Sequence, residues 1–95
     1  MISGKVFHHK DPIPNSAIYI KYGATEFPGA DVTTYDNSIV ADANGYFEFK
    51  DLRKGSYFLY GAGYDVAISS IVKGGVGIKL KNKETLNTNV PVTED

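Results

Sequence analysis

Residues 42–59, Asp42-Ala43-Asn44-Gly45-Tyr46-Phe47-Glu48-Phe49-Lys50-Asp51-Leu52-Arg53-Lys54-Gly55-Ser56-Tyr57-Phe58-Leu59, read as two β-strands with a turn before each. Asp-x-Asn-Gly supplies the side-chain acceptors and the glycine that let a backbone reverse tightly, since Gly45 tolerates a positive φ that a β-branched residue does not. From Tyr46 to Lys50 the chain alternates: Phe47 and Phe49 share one face, and Tyr46, Glu48 and Lys50 the other. That period of two marks a strand with one face buried. A second break spans Asp51 to Gly55, and Ser56 to Tyr60 opens another aromatic-rich run.

Working outward, Ile2 to His8 alternates with Ile2, Gly4 and Val6 on one side, and Ala17 to Tyr22 places Ile18, Ile20 and Tyr22 together. Pro12 and Pro14 keep the link between these strands extended. Ser38 to Asp42 reads as a short strand feeding the Gly45 turn. In Ser56 to Gly63 both faces carry bulk, which predicts a central strand. Val66 to Val72, Val76 to Leu80 and Leu86 to Val92 complete the set, separated by Lys73-Gly74-Gly75 and Lys81-Asn82-Lys83. Leu52 plugs one end of the core, and Pro91, which lacks a donor, places the last strand at an edge or its position facing outward. Short strands between turns, about seven or eight of them, without helical periodicity, predict an all-β, antiparallel β-sandwich of Ig-like architecture.

Gly23 to Asn37 is the least regular part. A solvated excursion with an edge strand at Val32 to Tyr35 is the plainer expectation. Loops this long are also where function concentrates, so the same stretch defines an interaction loop whose side chains are Glu26, Phe27, Asp31, Tyr35 and Asp36.

With 95 residues the chain is one domain, spanning positions 1–95, and its 42% apolar content with seven tyrosines and five phenylalanines suits a folded chain. The net charge of -1, with both signs interspersed, offers no footprint for nucleic acid. No cysteine is present, so neither a disulfide framework nor a thiolate metal site exists. No apolar run approaches the roughly 18 residues of a membrane span, so no transmembrane segment is expected. No signal peptide is legible either, so the chain is cytoplasmic or its targeting segment lies outside these residues.

Motifs with chemistry fail on spacing. Asp42-x-Asn44 invites calcium, but an EF-hand loop needs glycine at its sixth position and glutamate at its twelfth, where Phe47 and Arg53 stand. His8 and His9 point to opposite strand faces and read as solvated residues at a strand end. Gly74-Gly75-Val76-Gly77 precedes a strand, not a helix N-terminus that would cradle phosphate, and reads as a turn or bulge. Glu48 and Asp51 read as solvated charges, not a catalytic carboxylate pair. No Gly-x-Ser-x-Gly elbow occurs. No cofactor, metal site or catalytic residue is expected.

The pattern Gly4-x-Val6, Pro12-Ile13-Pro14-Asn15-Ser16-Ala17-Ile18-Tyr19-Ile20, Asp42-Ala43-Asn44-Gly45-Tyr46-Phe47-Glu48-Phe49, Leu52-x-x-Gly55-Ser56-Tyr57-Phe58-Leu59 and Gly63-Tyr64 resembles the carboxypeptidase regulatory-like family. The resemblance covers the larger part of the chain and implies a Greek-key, transthyretin-like (prealbumin-like) sandwich. It also implies a noncatalytic, extracytoplasmic role at the periplasm or cell surface. The nearest likeness is to small surface lipoproteins of the Bacteroidetes type, with signal segment and lipid anchor outside this chain. Two departures stand out: Ala41 where the family commonly has Thr, and the length of the 23–37 loop. Related hydrolases of the urate pathway end in Tyr-Arg-Gly-Ser, unlike Val92-Thr93-Glu94-Asp95 here. In pilin-type sandwiches a glutamate assists a Lys–Asn crosslink; Lys5 and Asn89 fit, but the acid position falls near Gly61, so no isopeptide bond is expected.

The function expected from these residues is an interaction or structural module with a protein partner. The alternative is a carbohydrate-binding module, with Tyr19, Tyr22, Tyr35, Tyr46 and Tyr60 stacking on sugar faces.

Overall fold

The alternation after Gly45 does produce a strand with one buried face: Phe47 and Phe49 are 2% and 4% exposed, while Tyr46 and Glu48 are half-buried. Ahead of it, Gly45 takes φ 76° and donates to the Asp42 carbonyl at 3.0 Å. Asp42 Oδ1 accepts from the Asn44 amide at 2.8 Å and the Tyr46 amide at 3.0 Å, so this aspartate serves as the turn's acceptor.

The computed structural model describes residues 1–8, 11–24, 26–29, 31–50, 52–66, 68–81 and 84–94. His9, Asp51, Asn82 and Lys83, which entered the histidine-pair, carboxylate-pair and turn readings above, lie outside the described residues. The strands are β1 (Ile2–His8), β2 (Asp11–Pro12), β3 (Ala17–Tyr22), β4 (Asn37–Val40), β5 (Tyr46–Phe49), β6 (Gly55–Asp65), β7 (Ser70–Leu80), β8 (Leu86–Asn87), β9 (Val90–Pro91) and β10 (Thr93–Glu94). No α-helix occurs among the described residues.

The strands form two sheets. In one, β1 pairs antiparallel with β5 and β2 and parallel with β8 and β9; the other runs β10-β7-β6-β3-β4, antiparallel throughout. Inward residues of both sheets make one cluster: Ile2, Val6, Phe47, Phe49 and Val90 from the first meet Ile18, Ile20, Leu59, Val72, Ile78 and Leu80 from the second. Fully burying each such side chain stabilises the fold by about 1.5–3 kcal/mol. Leu52 packs against this cluster, as its isolation in a polar turn suggested. β6 lies between β3 and β7 and is covered on both faces, which accounts for its unbroken apolar run.

Four expectations need correcting. First, the sheets are not purely antiparallel. β7 ends at Leu80 and the chain turns where the Glu84 amide donates to the Lys81 carbonyl at 3.1 Å. It then runs beside β1 in the same direction, the Leu86 amide donating to the Met1 carbonyl at 2.9 Å. Second, Leu86 to Val92 is no single strand. Its pieces serve both sheets, β8 and β9 on β1 and then β10 on β7. Third, Lys73-Gly74-Gly75 is not a turn but the middle of β7. The reversal falls between Asp65 and Ser70, where the Ile68 amide donates to the Asp65 carbonyl at 3.3 Å and Ser69 takes φ 51°. The glycines serve close approach: a Cβ at Gly74 would lie 2.1 Å from the Pro91 carbonyl oxygen, and one at Gly75 would lie 2.5 Å from the Phe58 ring. Fourth, Val32–Thr34 forms a 3-10 turn instead of an edge strand. Asp31 Oδ1 accepts from the Thr33 amide at 3.1 Å, a local bond that competes with ladder pairing. The edge strand is β4.

Two substitutions probe this packing. Phe47→Ala should cost about 3–5 kcal/mol in urea denaturation. Gly74→Ala should cost about 1–3 kcal/mol, because its new methyl meets backbone. At exposed Gly77 on the same strand, alanine should stay within about 0.5 kcal/mol, and equal losses at the two glycines would contradict the close approach.

Candidate functional site: the outer face of the five-stranded antiparallel sheet

Period two sends Tyr19 of β3 and Phe58 and Tyr60 of β6 away from the core that Ile18, Ile20, Tyr57 and Leu59 enter. Register sets Tyr19 directly across from Tyr60, with ring centroids 6.4 Å apart. The 23–36 segment folds back over these rings. Phe27 lies 5.9 Å from Phe58 and 5.5 Å from Tyr60, and Tyr35 stacks on Tyr60 at 5.8 Å and 25° while lying 6.0 Å from Tyr19. Aromatic pairs at such spacings are worth about 0.5–1.5 kcal/mol beyond the area they bury. Phe58 and Tyr60 are thereby both buried, although they sit on the sheet's outside.

Backbone bonds anchor the segment at both ends: the Gly23 amide donates to the Ser56 carbonyl at 2.7 Å and the Asp36 amide to the Ile20 carbonyl at 2.9 Å. Asp36 Oδ2 accepts from the Tyr22 amide at 2.7 Å, with Lys21 Nζ 4.0 Å away. Lys21 Nζ also donates to the Thr34 carbonyl at 2.9 Å. Asp31 Oδ1 accepts from the Thr33 hydroxyl at 2.6 Å as well as from its amide, and these bonds hold its carboxyl below the ordinary value. The Tyr35 hydroxyl donates to the Gly29 carbonyl at 3.0 Å, and burial, with the Tyr60 phenol beside it, pushes the Tyr35 phenol up.

Of the five loop residues singled out from sequence, Phe27 and Tyr35 therefore join one aromatic cluster, Asp31 and Asp36 serve as local acceptors, and Glu26 stands exposed. The acids do not converge, and among the described residues no group of three His, Asp or Glu side chains is placed to hold a metal ion. The tyrosines do not form a single platform. Tyr19, Tyr35 and Tyr60 cluster, whereas Tyr22 sets its edge against Tyr57 at 5.6 Å and 88°. Tyr46 lies on β5, donating to Glu48 Oε1 at 2.6 Å, a bond that pushes its phenol up. Asn89 Oδ1 accepts from the Lys5 backbone amide at 3.2 Å.

Two features escaped the sequence reading. His8 is 4% exposed, not solvated, and its Nδ1 lies 2.7 Å from Oδ2 of Asp65, also buried. The signal was available: His8 continues the inward phase of Ile2, Gly4 and Val6, so its burial called for a hydrogen-bonding partner. The second is an exposed apolar area at the closed end of the β6–β7 hairpin. Val40 pairs with Ala17, Ala17 with Ala62, and Tyr64 with Ile71, all on the outer face, and Val66 and Ile68 follow in the turn. Val66 is 78% and Val40 69% exposed.

Replacing Thr33 by Val should raise the Asp31 carboxyl toward its ordinary pKa, read by carboxyl carbon shifts in NMR. A carboxyl lowered by folding contributes stability that is full above its unfolded pKa and lost as pH falls through the folded one. Thr33→Val should therefore flatten the acid side of the stability profile, and an unchanged Asp31 titration would contradict the assigned bond.

No family model, curated protein or solved structure matches the chain.

Proposed function

We propose that this chain is a noncatalytic interaction module that docks a protein partner through the closed end of the β6–β7 hairpin. The exposed apolar area there carries the proposal. Tyr64, Val66, Ile68 and Ile71 are each about half exposed or more, and the register makes Tyr64, Ile71, Ala62, Ala17 and Val40 neighbours on one sheet face. Contiguous exposed apolar surface is avoided on soluble chains unless something covers it. Tyr64 suits such a surface, with an apolar ring and a hydroxyl that stays wet.

Two sheets sharing one core support a β-sandwich, and the resemblance of the residue pattern to the carboxypeptidase regulatory-like family supports a Greek-key, transthyretin-like order of strands. Placement outside the cytoplasm, with a lipid anchor beyond this chain, rests on that resemblance alone. The alternative reading, a carbohydrate-binding module, is favoured by one observation: the Phe27 ring is 56% exposed above the aromatic cluster, free to stack on a sugar face.

A photo-crosslinking residue at position 66 should give one discrete adduct in the source cells, one at position 48 should not, and Ile71→Asp should abolish the first. Equal labelling at both positions would refute docking at the hairpin end. Under the carbohydrate reading, calorimetry would instead show sugar binding that Phe27→Ala removes and Ile71→Asp leaves intact.

A further inference from the structure

The opposite, open end of the same hairpin carries a second surface of different chemistry. Lys54, Gly55, Ser56, Lys79, Leu80 and Lys81 line an open cleft of about 640 Å³. Ser56 pairs with Lys79 and Gly55 with Leu80, so Ser56 and Lys79 share the outer face, and Lys54 and Lys81 border the same cleft at the strand ends. Three ammonium groups and a hydroxyl thus border one depression.

Among the described residues none of these three lysines makes an ion pair, whereas Lys50 lies 3.8 Å from Glu48 and Lys21 lies 4.0 Å from Asp36. Glu84 turns its Oε1 to the Lys81 backbone amide at 3.0 Å. Gathering like charges opposes folding by mutual repulsion, and the chain as a whole, at -1, has no excess of cations to distribute. The floor is bare as well. Gly55 takes φ 152°, which other residues rarely adopt, and a Cβ there would meet nothing within 4 Å, so the glycine leaves backbone open to approach.

We propose that this cleft binds a phosphate or sulfate monoester group. A tetrahedral oxyanion, close to dianionic as a phosphate monoester and monoanionic as a sulfate monoester, presents oxygens in several directions and can accept from three ammonium groups and the Ser56 hydroxyl together. A single carboxylate has two oxygens in one plane, and leaves part of the cleft unanswered. Lysines act here as point charges, so affinity arises from local field and falls with ionic strength. This site is independent of hairpin-end docking, lying at the other end of the strands.

The test is an amide NMR titration with inorganic phosphate, inorganic sulfate, glucose 6-phosphate and glucose 6-sulfate, each at ionic strength held constant with sodium chloride. Saturable shifts should centre on Gly55, Ser56, Lys79 and Leu80. Lys79→Gln should weaken binding about fivefold, the effect of losing one exposed charge contact, while Lys5→Gln on the other sheet leaves it unchanged. Preference for the phosphate pair assigns a phosphoryl ligand and preference for the sulfate pair a sulfuryl one. Shifts that chloride reproduces, that Lys79→Gln leaves unaltered, or that spread equally to Lys5 and Lys21 overturn the proposal. Thermal unfolding of Lys79→Gln at or above the parent midpoint confirms that lost binding is not lost folding.

Discussion

The segment from Leu86 to Glu94 ties the two sheets together, and its passage requires that backbone touch backbone. It pairs with β1 through β8 and β9 and with β7 through β10, so within nine residues the chain belongs to both layers. A Cβ at Gly4 would sit 1.7 Å from the Thr88 carbonyl oxygen, and one at Gly61 would sit 3.1 Å from a Val90 methyl. With Gly74 beneath Pro91, these positions describe a track along which side chains are excluded. Val90 and Val92 then drop into the core as its last wedges. The Met1 nitrogen donates to the Glu84 carbonyl at 3.1 Å at the start of the same seam. Where that track is obstructed the sheets lose their shared strand, because neither β8 nor β9 has length enough to hold on its own.

The central place of β6 decides how the outer face of the antiparallel sheet is used. With β6 central and both its faces apolar, burial on the core side is complete and a second layer is needed for Phe58 and Tyr60. The 23–36 segment supplies it over the middle of the sheet only. The covered middle leaves two ends of contrasting character along one hairpin, apolar at Tyr64 to Ile71 and cationic at Lys54 to Lys81. Elongated strands make such separation available, since β6 and β7 each run 11 residues.

Strands with a clean period of two were legible in the sequence: Ile2–His8 and Ala17–Tyr22 fall where the alternation puts them, and Phe47 and Phe49 point inward. What escaped were decisions made by partners distant in the chain. Gly74 looks like a turn because glycine marks turns locally, and only the approach of Pro91 reveals it as a strand residue. His8 looks solvated beside Asp11 and Pro12 until Asp65, 57 positions away, appears opposite it. Val32-Thr33-Thr34 carries high strand propensity, yet Asp31 one residue earlier captures the Thr33 amide. The candidate surfaces were less legible still. The loop acids were singled out for interaction, whereas Asp31 caps the 3-10 turn and Asp36 accepts from the Tyr22 amide of β3. The exposed apolar residues lay within a stretch that reads as an ordinary core strand.

The covering segment buries little apolar surface for its length. Ordering a residue costs about 1–2 kcal/mol in backbone entropy. Against that, the stretch between Gly23 and Asp36 contributes the Phe27 and Tyr35 rings, the short-range bonds of Asp31 and the bonds that anchor its two ends to β3 and β6. Phe27 remains more than half exposed even when seated. Apolar burial per ordered residue is therefore far smaller here than along β6, so opening of this segment costs less than opening of that strand. Opening would uncover Tyr60, Phe58 and Tyr19 in one step, while Ile18, Ile20 and Leu59 on the reverse face of the same strands stayed buried. The core and the surface aromatics thus share strands but not stability: the first depends on the two sheets remaining laced, the second on a loop that the lacing does not restrain.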